Sequence, residues 1–269
     1  MLPHGSAKLT ALASQCAASP LTSVNGWQVD VWDMSAADVD LAVEIYQAVL
    51  AGDVTSGDPV VAKLATQGVD LPKLLSDAGE GLELVTRADI AEYAAAASVI
   101  ATDGFTVASM LMPNIPKMGR RKSDSGVDVF DVQLDATASG PALVTSERLG
   151  LASVKHTLTI AASGLRLAIV KSVSPKHELN QVYLTQQLRV VVGRLQSEGM
   201  VVADARRTFL FMADFPDPAH VGLFGVAVVD PSLRDAMVAQ LSNLPTVTGG
   251  HMFRIVTFPD LANVHLRCP

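Results

Sequence analysis

Two short stretches carry side chains that can do chemistry together. In 117–135, KMGRRKSDSGVDVFDVQLD, four cations (Lys117, Arg120, Arg121 and Lys122) run into a Ser/Asp/Gly turn. A strand then opens on a carboxylate, Asp128. In 148–158, RLGLASVKHTL, Ser153 and Lys155 stand two residues apart. Residues two apart on a strand share a face, so Asp128 joins the row of Phe130, Val132 and Leu134. Ser153 and Lys155 join the row of Leu149 and Leu151. If the two strands are neighbours, Asp128 lies beside the 153/155 pair. A carboxylate and an ammonium together can hold a divalent cation, Mg2+ or Mn2+, and orient an attacking water. The cation lowers the water's pKa, and the ammonium helps stabilise charge building on a phosphoryl oxygen. An Asp on an otherwise apolar row needs such a partner, and the four cations ahead of it suit contacts to phosphate.

Other polar residues nearby carry simpler expectations. Asp131 and Asp135 fall on the opposite row from Asp128, which predicts exposure to solvent for both. His156 points away from Lys155 and reads as structural. His177, His220, His251 and His265 show no ligand spacing. Gly222 and Gly225 do not form a phosphate-binding loop ahead of a helix.

Helical spacing of Val39, Leu41, Ala42, Ile45 and Val49 predicts a helix over 36–50, with Ser35 as its N-cap. Two shorter helices are expected at 58–66 and 72–77, which makes residues 1–84 a mainly helical region. Residues 85–269 then form an α/β domain. It opens on an Ala-rich helix at 87–103, suited to close packing on a sheet. Strands follow at 127–134 and 148–158, joined by a turn containing Gly140-Pro141. Two helices are expected at 159–174 and 175–199, the second with Pro175 at a favoured first position. Strands at 207–213 and 222–229, a helix at 231–242 and a strand at 251–258 complete the chain. The expected fold class is α/β, a mixed central sheet flanked by helices.

The stretch 117–157 resembles the core of the PD-(D/E)xK, or restriction endonuclease-like, nuclease superfamily. More distantly, IPKMGRRKSDSGVDVF followed by GLASVKHT is similar to the nuclease subunit of Hachiman-type anti-phage defence. The resemblance covers about 70 residues, from the Ala-rich helix to Thr157. It implies that Asp128 is the metal-binding acid of the first motif and Lys155 the lysine of the second. It further implies DNA as substrate and a partner such as a helicase. The second motif calls for Asp or Glu at position 153, where this chain has Ser153. Some members with Ser-x-Lys recruit an acid from elsewhere. Glu92 on the Ala-rich helix, Glu147 and Glu178 are the candidates, and Glu92 is the metal ligand expected beside Asp128. Ser153 equally admits an impaired site, the fold being kept as an interaction subunit.

Composition bounds these readings. The chain has 269 residues, 49% of them hydrophobic and 17% charged, enough to bury a large core. A formal net charge of −7 argues against a free-standing, tight DNA binder. With aromatics at 5%, stacking platforms for single strands are not a prominent resource. Cys16 and Cys268 are far apart and lack redox or metal spacing, which suggests a reducing, cytoplasmic setting. No apolar run reaches membrane-spanning length. The segment MLPHGSAKLTALASQCAAS reads as a loose leader or first helix, not a signal peptide.

Overall fold

The computed structural model describes residues 7–50, 67–68, 82–102, 108–110, 127–158 apart from 136 and 139, positions 184–185, 188–189, 192–193 and 196, residues 202–248 apart from 214 and 216, and 251–268. In chain order its principal elements are α1 (Ala7–Gln15), β1 (Ser19–Val24), β2 (Trp27–Asp33), α2 (Ala36–Leu50), α3 (Leu82–Thr102), β3 (Ala108–Met110), β4 (Val129–Gln133) and β5 (Arg148–Thr157). α4 (Val202–Thr208), β6 (Val221–Val229), α5 (Arg234–Ala239) and β7 (His251–Thr257) follow. The described strands form one seven-stranded sheet in the order β1-β2-β7-β6-β5-β4-β3. β5, β6, β7 and β2 run parallel to one another, while β4 is antiparallel to both β3 and β5. The α/β class and the mixed sheet with flanking helices are as the sequence predicts.

Each face of the sheet is covered. On one, α3 lays Ile90, Ala91, Ala94, Ala95 and Val99 against Val129, Ala152, Val154, Val226 and Val256, with α1 and α2 completing the layer. Its alanines let the helix axis approach the strands, as the Ala-rich run predicts. On the other face, Phe130, Val132, Leu149 and Leu151 pack under Leu184, Leu188 and Val192. Those three are four apart and described as helical, so the described part of 175–199 is helical as expected. Further along that face, Met237 and Leu241 cover Val29, Val31, Phe253 and Ile255.

The sheet also draws on the first 84 residues, so that region is not simply a helical front. β1 and β2 form a hairpin, and β2 continues into the sheet beside β7. The turn is Asn25-Gly26, both at positive φ (51° and 88°), the backbone a two-residue hairpin demands. A Cβ at Gly26 would lie 2.1 Å from the Val247 carbonyl oxygen, so only glycine fits there. One guanidinium ties the layers together. Arg254 on β7 donates through Nε to Asp30 on β2 at 2.7 Å, and through Nη1 to the Ser98 carbonyl of α3.

Two further expectations are corrected. Residues 207–213 are not a strand: they close α4 and pass into the 3-10 turn Phe209–Met212. Their apolar run is too short for periodicity to tell the two apart. Asp131 is not solvated but fully buried, because the far face of β4 lies under α3. It sits between Ala108 on β3 and Gly150 on β5. The expected elements at 58–66, 72–77 and 159–174 lie outside the described residues.

Neither carboxyl oxygen of Asp131 has a hydrogen-bond partner among the described residues. Burial alone pushes its pKa well above the ordinary carboxylate range. Below about pH 4 the residue is protonated in folded and unfolded chains alike. As pH rises, the unfolded chain ionises while the folded one holds its proton, so Asp131 progressively destabilises the fold. Asp131→Asn should therefore match the parent near pH 4 and exceed it by roughly 1–3 kcal/mol at pH 8 in urea unfolding. A difference that stays flat between the two pH values would contradict this account.

Candidate functional site

The site forms where β4 stops and β5 goes on. Val129, the first residue of β4, pairs with Ala152, so 153–157 of β5 extend past the end of their neighbour. Strict alternation also breaks here. Val127 and Phe130 lie in one core cluster and Val129 in the other, with a bend at Asp128 between them. Asp128 is thus a residue of the strand's entry and not of its apolar row. Its amide still reaches the Ala152 carbonyl at 2.8 Å. Its Oδ2 accepts the Val154 amide at 2.7 Å, taking the place of a strand carbonyl. That hydrogen bond anchors the carboxylate at the edge of β5.

Lys155 reaches the same oxygen: its Nζ stands 4.0 Å from Asp128 Oδ2. The lysine side chain is 26% exposed and the aspartate 11%, so the pair is neither sealed in nor fully hydrated. Ser153 lies between Ala152 and Val154, both on the α3 side, and so belongs with Leu151 and Lys155 on the opposite row. It is 7% exposed, and its hydroxyl has no hydrogen-bond partner among the described residues. Across from Ser153 and Lys155, β6 presents Gly225 and Ala227. These small neighbours leave the Ser153–Lys155 row uncrowded from that side, a feature that pairing made visible and spacing along one strand did not.

Of the acids that might replace a second carboxylate, Glu147 is engaged elsewhere. Glu147 is fully buried just ahead of β5, at the end remote from Lys155. Its Oε1 accepts from Arg207 Nε at 2.8 Å and from the Asp135 amide at 3.3 Å. Its Oε2 accepts from Arg207 Nη2 and from the Val144 amide at 2.9 Å. Burial acts to raise its pKa, but the Arg207 hydrogen bonds and the two amides outweigh it, and the pKa falls below the ordinary value. Glu147 is therefore a structural acid, and Arg207 also holds the Gly140 carbonyl at 2.6 Å. Glu92 is buried on α3, the helix that covers the face opposite the Ser153–Lys155 row. Glu178 and the four cations Lys117, Arg120, Arg121 and Lys122 lie outside the described residues.

Among the described residues the donors at this edge are hard oxygens, the Asp128 carboxylate and the buried Ser153 hydroxyl, which suit Mg2+ or Mn2+. Among the described residues no group of three or more His, Cys, Asp or Glu side chains is placed to hold a metal. No described helix is long and apolar enough to cross a membrane. No family model matches the chain, and a search of curated proteins returned no match.

Because Glu147 belongs to the frame, its removal should unfold and not disarm. Glu147→Ala leaves Arg207 buried without its counter-charge and should lower the melting temperature by roughly 10 °C. An undiminished melting temperature would show that the pair does not hold the β5 entry.

Proposed function

We propose that this protein is a metal-dependent nuclease that hydrolyses phosphodiester bonds, with DNA as its substrate, in a prokaryotic anti-phage defence system. The observation that carries the proposal is the 4.0 Å approach of Lys155 to Asp128 at the open end of the β4–β5 pair. The order of parts around it also agrees with the resemblance: a sheet-packed helix, an acid at the entry of one strand, and Ser-x-Lys on the next.

In this proposal Asp128 and Ser153 hold Mg2+ or Mn2+, which when bound supplies an acidified water and a Lewis acid beside the phosphoryl group. Lys155 stabilises negative charge on a phosphoryl oxygen during attack. The Val154 amide keeps Asp128 in place, so the carboxylate does not have to be ordered on binding. Lys117, Arg120, Arg121 and Lys122 contact the flanking backbone phosphates. The net charge of −7 leaves the main grip on DNA to a partner subunit, such as a helicase.

Ser153 favours a second reading, a nuclease fold kept as an interaction subunit with little activity of its own. Divalent-metal-dependent cleavage of DNA by the purified chain, alone or with its partner, decides between the two. Asp128→Ala and Lys155→Ala should each reduce cleavage by about a hundredfold or more while the protein stays folded. Full activity in both variants would sink the nuclease assignment. A large gain in Ser153→Glu would mark the native site as degenerate.

A further inference from the structure

We propose that Asp131 makes the β4 edge of the sheet a proton-dependent latch: while protonated it lets β4 stay shut between α3 and β5, and loss of the proton frees β4 together with Asp128. The inference concerns the hold on β4 and does not need the nuclease reading. Asp131 is fully buried, and neither of its oxygens has a hydrogen-bond partner among the described residues. It shares the α3-side row with Val129 and lies opposite Gly150, so β5 offers it no side chain there. The described titratable residues of the elements packed on it are Arg87, Asp89, Glu92 and Tyr93 on α3, and Arg148 and His156 on that side of β5. β3 carries none. None of them sets the state of the Asp131 carboxyl, which is raised by burial alone.

An ionised carboxylate buried without a donor or counter-charge is costly, so the chain either keeps it neutral or lets water in. The sheet gives way most easily at the seam between β4 and β5. β5 pairs with β6 over nine residues but with β4 over five, and the outer neighbour of β4 is the three-residue β3. The same seam carries the site. The Asp128 amide donates to the Ala152 carbonyl at 2.8 Å, and the Val154 amide donates to Asp128 Oδ2 at 2.7 Å. β4 cannot leave β5 without loosening both. In the open form Asp131 ionises at about pH 4, like an ordinary aspartate. In the closed form it keeps its proton to a higher pH. Above about pH 4 each opening therefore releases one proton, and the opening equilibrium grows about tenfold per pH unit until the closed form ionises too.

Hydrogen exchange of the full chain, resolved to single amides, reads the opening between about pH 5 and 7. Each rate is divided by that of an unstructured amide at the same pH. The protection of the β4 amides and of Val154 should fall by about tenfold per pH unit in the parent and stay level in Asp131→Asn. The β6 amides should remain better protected than those of β4 throughout. Level protection of β4 in the parent would overturn the latch, and so would a pH dependence that persists in Asp131→Asn. β4 amides no less protected than those of β6 would also overturn it, because the proton would then act only on global unfolding. A pH-dependent β4 beside an unchanging Val154 amide would overturn the link to Asp128. If Asp131→Asn does not fold, Asp131→Ala takes its place, and the parent comparison of β4 with β6 is decisive by itself.

Discussion

The geometry of the candidate site depends on one hydrogen bond, from the Val154 amide to the Asp128 carboxylate. β4 begins at Val129, yet β5 continues to Thr157, and a strand that outruns its neighbour exposes unpaired amides. Asp128 answers for one of them with its side chain. The bend that permits this turns the carboxylate out of the apolar row and along the edge of β5. Lys155, one residue past Val154, is then within 4.0 Å without any rearrangement. A structural need of the sheet and the placing of the Asp128–Lys155 pair are met by the same atom.

That edge is useful only if β5 is held rigidly, and both its ends are tied down. At the entry, the Glu147–Arg207 pair anchors the turn before β5 through four contacts to a single carboxylate, and the Leu149 amide donates to the His220 carbonyl at 2.8 Å. Along its length β5 pairs with β6 over nine residues, from Leu149 to Thr157, so its exit does not depend on β4. The far side of the sheet is fixed by Arg254, which joins two strands to α3. Buried ion pairs are poor sources of net stability but costly to break, which suits them to holding a particular register.

Much of this was readable from residue pattern, and the failures have particular causes. The helix at 36–50, the Ala-rich helix and the strand pair with its Asp, Ser and Lys follow from periodicity and spacing. The β1–β2 hairpin carries a local signal, Asn25-Gly26 before the alternating Trp27, Val29 and Val31. Its second strand, β2, pairs with the C-terminal β7, a contact that no local pattern announces. Asp131 was expected in solvent because alternation says which residues share a face, not whether that face is covered. Asp128 was expected on a row because alternation takes no account of a bend. Glu147 resembles a candidate ligand in sequence because its partner, Arg207, lies sixty residues on. The β2–β7 pairing, the burial of Asp131 and the Glu147–Arg207 pair are tertiary contacts that override a local rule, whereas the bend at Asp128 is a local departure from alternation.

The serine at 153 is best understood through what a second carboxylate would do in the free protein. Two carboxylates sharing a site repel, and one of them then tends to hold a proton or demand a cation. Here Asp128 faces a lysine instead, and a hydroxyl takes the neighbouring place, so the resting arrangement is close to charge-balanced. An ammonium 4.0 Å from Asp128 Oδ2 supplies the counter-charge from within the chain, so one carboxylate oxygen serves the Val154 amide and the Lys155 side chain together.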